Sequence, residues 1–159
     1  DTAVAWIMYQ SLDSSVQYCV GNKYDPTERT LGIVANNAEI TGEGTYTVSL
    51  DFSDCGIPKG VLFSALGIYN GEKFFPDYTI SIDEVKVNGE VRELSGKEYT
   101  CSDDGNCTRV NLYNQWVTSI PDDSRYADGD KSGLSATVLP VKDNEILSTL
   151  EITFTYSAP

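Results

Sequence analysis

The sequence predicts an all-β fold, a two-sheet β-sandwich of jelly-roll type. Apolar and polar residues alternate with a period of two in several segments, as in strands with one face in the core. These segments are short and separated by turns rich in Gly, Asn and Asp, and helical periodicity is nearly absent. About nine or ten such strands over 159 residues fit one sandwich domain that spans residues 1–159.

The alternation is clearest in two segments. In TYTVSLDF (45–52), apolar side chains occupy the even positions, whereas Thr, Ser and Asp occupy the odd ones. LEITFTY (150–156) has the same pattern, with Leu, Ile, Phe and Tyr at its even positions. Each segment is therefore predicted to form a strand with one buried and one solvated face.

Two further segments carry other strand signals. GVLFSALGIY (60–69) is apolar in both phases, which predicts a central strand. EVKVNGEVREL (84–94) contains Asn-Gly between two short strands, which predicts a hairpin because a type I′ turn needs positive φ at both central residues. Segment 119–133 is predicted to be mostly loop. The remaining strands are expected at 3–9, 15–20, 33–40, 78–82, 107–113 and 135–139.

Composition limits the possible partners. The net charge is −13, with 11 Lys and Arg against 24 Asp and Glu, so nucleic acid and anionic membrane surfaces would meet a repulsive field. A membrane span is not expected either, because no apolar run approaches the required length of roughly 18 residues. Histidine is absent, which removes the commonest general base and metal ligand. A neutral or cationic ligand is favoured.

The four cysteines leave two readings open. Cys101 and Cys107 flank Ser-Asp-Asp-Gly-Asn, which has the composition of a hairpin loop. If the flanking strands are antiparallel neighbours, the two cysteines can lie at bridging distance across the ladder and form a disulfide; the alternative is two separate thiols. Nothing in the sequence places Cys19 and Cys55 together. None of the four is expected to be a catalytic nucleophile, because no histidine is present to activate a thiolate.

Two aspartate-rich loops resemble oxygen-ligand loops for a structural calcium ion. Asp103 and Asp104 lie in the first loop, and Asp128 and Asp130 in the second. Their spacing does not complete an EF-hand, and aspartates are also common in turns because they bond their own backbone. Calcium and ordinary turn chemistry therefore both remain possible readings, and no cofactor is required.

The aromatic residues are the most informative class. The chain has 10 Tyr, 5 Phe and 2 Trp, and several of them stand near the amides Gln10, Gln17, Asn22, Asn111 and Asn114. A water-facing ring beside amides suits a sugar, because the pyranose face stacks on the ring and amides bond its hydroxyls. The alternative is that tyrosines are ordinary in β-sandwiches. The predicted ligand-binding residues are Trp6, Tyr9, Tyr18, Tyr24, Asn111, Tyr113 and Trp116.

Motifs along nearly the whole chain resemble a known group of proteins. EITGEGTYTVSLDF, LGIYNGEKFFPDYTISIDEVKVNGE, TRVNLYNQWV and SRYADGD occur in an order similar to that of carbohydrate-binding modules attached to plant-polysaccharide hydrolases of gut and rumen Firmicutes. Such modules commonly display tryptophans in the second strand. The corresponding segment here, SSVQYCV, has Val16 and Cys19 at the expected aromatic positions and leaves Tyr18.

The resemblance implies a non-catalytic, secreted or cell-surface module that binds a neutral β-linked polysaccharide: xylan, β-glucan or mannan. It also implies a covalently linked catalytic domain, and we expect a monomer. Two alternatives stand beside this hypothesis. A structural or adhesive sandwich would keep most of its aromatics buried, and a jelly-roll hydrolase would need two carboxylates facing each other across a cleft.

Overall fold

The computed structural model is a two-sheet β-sandwich, as the sequence predicts. It describes residues 2–20, 24–27, 30, 32–103 and 105–159, and these ranges contain eleven strands and one four-residue helix, α1 (Gly71–Phe74). The strands are β1 (Ala3–Gln10), β2 (Gln17–Tyr18), β3 (Val34–Asn36), β4 (Ala38–Ile40), β5 (Gly44–Asp51), β6 (Phe63–Tyr69), β7 (Thr79–Val87), β8 (Glu90–Val91), β9 (Thr100–Asp103), β10 (Cys107–Asn114) and β11 (Thr149–Ser157).

The strands form two antiparallel sheets. The six-stranded sheet has the order β2-β1-β6-β10-β9, with β4 also paired to β1, and the five-stranded sheet has the order β3-β5-β11-β7-β8. The chain passes from β5 to β6 in the other sheet and back to β7, forms the β7–β8 hairpin, and then crosses again to β9. It then returns with β10 between β6 and β9 and with β11 between β5 and β7. This return between earlier strands is typical of jelly-roll winding.

The five-stranded sheet has one buried and one solvated face. Leu150, Ile152 and Phe154 of β11 are fully buried, and the residues between them are partly exposed. On the outer face Thr47 lies opposite Thr153, and their hydroxyls are 2.9 Å apart. The alternation in the sequence therefore predicts this sheet correctly, because water covers only one of its faces.

The six-stranded sheet is covered on both faces over much of its area. Residues 63–68 of β6 are all buried, as predicted for a central strand. The inner face packs against the five-stranded sheet, where the Tyr9 and Phe52 rings lie 4.7 Å apart. On the outer face a second small cluster of Tyr99, Cys101 and Ala136 lies beneath Val117 and Leu134. This covered outer face positions the candidate site.

The Asn-Gly hairpin is confirmed. Asn88 and Gly89 have φ of 55° and 80°, and they join β7 to β8. The strands expected at 78–82 and 84–87 are one continuous strand, β7. Asp83 is a bulge within it, because the register with β11 shifts between Thr153 and Phe154.

Other predicted strand bounds are wrong. Segment 33–40 splits into β3 and β4, which belong to different sheets. Segment 135–139 forms only an isolated bridge between Thr137 and Tyr113. Helix α1 was not expected, because four residues are too few to show a helical period. In the portion of the chain that the structure describes, no helix is long and apolar enough to cross a membrane.

Candidate functional site

A cleft of about 440 Å³ opens on the outer face of the six-stranded sheet. Three strands meet in this cleft at neighbouring register positions: Gln10 pairs with Phe63, and Phe63 pairs with Asn114. Gln10 also pairs with Gln17 of the short strand β2, so both glutamines lie in the same wall. The lining residues are Gln10, Gln17, Val20, Tyr24, Phe63, Arg109, Asn114 and Trp116.

Trp116 is the most exposed aromatic side chain of the cleft, with 62 % of its surface accessible. A chain of amides beneath it fixes the turn that presents it. The Trp116 backbone N–H donates to Asn114 Oδ1 at 3.1 Å, and Asn114 Nδ2 donates to Asn111 Oδ1 at 3.1 Å. Asn111 Nδ2 in turn donates to the Tyr99 hydroxyl at 3.3 Å. This buried network therefore holds the indole at the mouth of the cleft.

Arg109 forms part of the floor. Its guanidinium lies 5.7 Å from the centre of the Tyr24 ring and 5.6 Å from the centre of the Phe63 ring. Its Nη2 also lies 2.6 Å from a carboxylate oxygen of Asp103 and 3.7 Å from Met8 Sδ. The ring contacts hold Tyr24 against the sheet. Because Asp103 pairs with Arg109, the one charge among the described lining residues is matched within the protein.

Two of the predicted ligand-binding residues, Tyr24 and Trp116, therefore meet in one cleft. The amides Gln10, Gln17 and Asn114, whose position beside aromatics was noted in the sequence, meet there too. Arg109 and Phe63 were not predicted. Arg109 lies two positions before Asn111 on β10, so the alternation that puts Asn111 on the outer face puts Arg109 there as well.

The prediction that Trp6, Tyr9 and Tyr18 are exposed is wrong, since all three are at most 2 % accessible. The Trp6 ring extends from β1 over Gly67 of β6, on the covered outer face of the six-stranded sheet. A Cβ added at Gly67 would be 2.6 Å from this ring. Tyr9 points into the core, and its hydroxyl donates to the Gly60 carbonyl at 2.6 Å. This burial raises the pKa of Tyr9.

Asn111 and Tyr113 also differ from the prediction. Asn111 does lie on the outer face, but it is 3 % accessible because loops cover that face. The register with β6 shifts between Asn111 and Tyr113, which makes Leu112 a bulge and reverses the alternation beyond it. Asn114 therefore faces the cleft in place of Tyr113, which is half-buried against the core and accepts a hydrogen bond from Gln115 Nε2.

The predicted Cys101–Cys107 disulfide is not formed. Cys101 is a buried thiol in the structure. The strands do pair as the prediction required, but Cys101 lies opposite Arg109 and Cys107 lies opposite Asp103. The two cysteines are therefore diagonal neighbours, a geometry that does not set their sulfurs face to face. Burial raises the pKa of the Cys101 thiol to about 11.

Among the residues that the structure describes, the aspartate loops bring no calcium ligands together. Asp103 pairs with Arg109, and Asp130 pairs with Lys97 at 3.6 Å. Asp128 Oδ1 accepts the N–H of Asp130, which is turn chemistry. Asp104 lies outside the described residues. Within the described ranges, no three His, Cys, Asp or Glu side chains form a group able to hold a metal ion.

None of the cleft-lining residues that the structure describes carries a carboxylate. The partly exposed carboxylates Asp51 and Glu151 lie on the five-stranded sheet, away from the cleft. What the cleft offers is therefore ring faces, amide groups and one guanidinium. Such groups bind by stacking and hydrogen bonding.

Comparison with protein-family models, with curated proteins and with solved structures found no match to this chain.

Proposed function

We propose that this chain is a non-catalytic carbohydrate-binding module and that it binds a neutral β-linked plant polysaccharide, xylan, β-glucan or mannan, in the cleft. The observation that carries the proposal is the meeting of an exposed indole, Trp116, with the Tyr24 ring and three amide side chains in one cleft. A pyranose presents CH groups to an aromatic ring and hydroxyls around its edge, so these are the groups it requires.

The charge of the cleft supports a neutral ligand. Arg109 is the charged member of the described lining, and Asp103 already pairs with it at 2.6 Å. An anionic sugar would have to compete with that carboxylate in a protein of net charge −13. A neutral polysaccharide meets no such repulsion, and its binding should barely change with salt.

The absence of carboxylates from the described lining supports a binding role over hydrolysis. Glycoside hydrolases use two carboxyl groups, about 5–9.5 Å apart, on opposite sides of the scissile bond. In the proposed role the module is secreted or held at the cell surface, as a monomer, and keeps a covalently linked catalytic domain near its substrate.

The proposal predicts modest affinity. An open cleft buries little area, and each stacked ring contributes about 1 kcal/mol. We expect a dissociation constant from tens of micromolar to millimolar, which corresponds to roughly 4–6 kcal/mol.

The test is native affinity electrophoresis on xylan, mixed-linkage glucan, xyloglucan and glucomannan. Trp116→Ala and Tyr24→Ala should each lose most of the retardation that the wild type shows. Tyr69→Ala is the matched control, because Tyr69 is an exposed ring at the opposite end of β6 from Phe63. Equal retardation of all three variants and the wild type would place the ligand elsewhere on the protein.

One observation favours a second candidate, a structural or adhesive module without sugar affinity. Three of the six aromatic residues predicted to bind ligand, Trp6, Tyr9 and Tyr18, are core residues. A sandwich with a purely structural role would use its aromatics in this way. Failure of the wild type to bind any of the four polysaccharides would favour this second function.

A further inference from the structure

The turn between β1 and β2, residues 11–16, is closed by its own hydrogen bonds. The Ser11 N–H donates to the Val16 carbonyl at 2.9 Å, and the Val16 N–H donates to the Ser11 hydroxyl oxygen at 3.0 Å. The Ser14 N–H donates to the Ser11 carbonyl at 3.0 Å. Ser11 itself is fully buried. The turn therefore has one defined backbone path, and Ser14 lies within it.

Ser14 has a left-handed backbone, with φ of 63°. This conformation is unfavourable for a residue with a Cβ, whereas glycine adopts it freely. Backbone geometry alone would therefore favour glycine at this position. A serine in its place indicates that the hydroxyl is used.

The contacts of Ser14 show what it holds. Its Oγ accepts a hydrogen bond from Gln10 Nε2 at 2.8 Å, and its carbonyl accepts one from Gln17 Nε2 at 3.4 Å. Gln10 and Gln17 are register partners, and both line the cleft. A primary amide has one NH₂ group and one carbonyl oxygen. Because Ser14 accepts one N–H from each NH₂ group, it orients both amides, and each amide keeps its carbonyl oxygen and its second N–H for a ligand.

We propose that Ser14 is a positioning residue that orients the two amides of this wall so that their carbonyl oxygens accept hydrogen bonds from sugar hydroxyls, and that the cleft therefore selects polysaccharides with unsubstituted hydroxyls over their O-acetylated forms. A sugar hydroxyl donates one hydrogen bond to such an oxygen. An acetyl ester has no O–H to donate and adds bulk. The inference rests on the proposed function, since it names which form of the polysaccharide binds.

The first measurement compares the four polysaccharides of the panel before and after chemical O-acetylation. We expect the wild type to bind at least one unsubstituted polymer and to lose about tenfold or more in affinity for its acetylated form, since two acceptors lose their donors. Equal binding of both forms would overturn the inference while leaving the proposed function intact. Binding to none of the polymers would overturn both.

The second measurement uses Ser14→Gly, which keeps the backbone conformation but removes the hydroxyl. We expect a melting temperature equal to or above that of the wild type, because the left-handed strain is relieved. Affinity for the unsubstituted polymer should fall about fivefold, and discrimination against acetylation should shrink. These opposite effects separate positioning from a purely structural role, in which stability and binding would fall together.

Asp77→Gly is the matched control. Asp77 has the same φ of 63° and lies outside the cleft. Its replacement should leave affinity and discrimination unchanged. If Ser14→Gly keeps wild-type affinity and discrimination, or if it lowers the melting temperature together with affinity, Ser14 does not have the proposed role.

Discussion

Replacing the two tryptophans by alanine should have different consequences: Trp6→Ala should lower stability, whereas Trp116→Ala should weaken sugar binding. Trp6 is 1 % accessible and packs across β6 over Gly67, with Met8 beside it. Trp116 is 62 % accessible at the mouth of the cleft. The sequence predicts that both rings bind ligand, so this pair tests the distinction that only the structure makes.

The magnitudes follow from burial. Truncation of a fully buried tryptophan to alanine costs about 3–5 kcal/mol through lost contacts and a residual cavity. In a chain of this size each kcal/mol shifts the melting temperature by about 2–4 °C, so Trp6→Ala should melt roughly 6–20 °C below the wild type. Trp116→Ala should stay within about 2 °C, because little packing is lost. Loss of its stacking should weaken sugar binding about fivefold.

Thermal unfolding followed by circular dichroism measures the first effect, and isothermal titration with the best-bound polysaccharide measures the second. Tyr69→Ala serves in both assays as the exposed-ring control. If Trp6→Ala melts with the wild type, the assigned burial of that ring is incorrect. A loss of stability in Trp116→Ala as large as that in Trp6→Ala would contradict the exposed position of Trp116.

Three further predictions concern packing, thiol reactivity and pH. Gly67→Ala should destabilise the protein by about 1–3 kcal/mol in urea unfolding, since the new Cβ would be 2.6 Å from the Trp6 ring. An unchanged urea midpoint of unfolding would contradict this packing. Cys101 should resist alkylation at pH 7 until the protein is unfolded, because burial raises the pKa of its thiol to about 11. Rapid labelling of Cys101 in the native protein would refute this prediction. The bidentate Arg92 contact at 2.8 Å lowers the pKa of Glu145. The stabilising contribution of this pair should therefore be complete above the carboxyl's unfolded pKa and disappear as pH falls through the folded value. Glu145→Gln should lose stability at neutral pH and much less at a pH low enough to protonate the folded carboxyl, and equal losses at both would refute it.

Most of the fold is predictable because one sheet obeys simple alternation. The five-stranded sheet is solvated on one face, so its strands alternate in sequence as they do in space. The Asn88-Gly89 turn is predictable because few residue pairs accept positive φ twice. The order of strands within the sheets depends on contacts between distant segments, which local periodicity does not encode.

The candidate site is less predictable because the outer face of the six-stranded sheet is not simply solvated. Loops cover part of it, so Trp6 and Asn111 are buried although they lie on the same face as the cleft. Because of the bulge at Leu112, Asn114 lies at the cleft wall and Tyr113 does not. The sequence shows aromatics beside amides, and the structure brings two of these aromatics and three amides together in the cleft. Which members of that class face solvent depends on loop packing and on a one-residue register shift.

The most direct test of the proposed binding site is a titration of ¹⁵N-labelled protein with neutral hexasaccharides of β-linked xylose, glucose and mannose, followed by NMR. The chain has two tryptophans, so the indole region should contain two signals. We expect the signals of the Trp116 indole and of the side-chain amides of Gln10, Gln17 and Asn114 to shift with added sugar, while the Trp6 indole signal stays in place. A spectrum that none of the sugars changes, or one in which the Trp6 indole shifts and the Trp116 indole does not, would contradict this expectation.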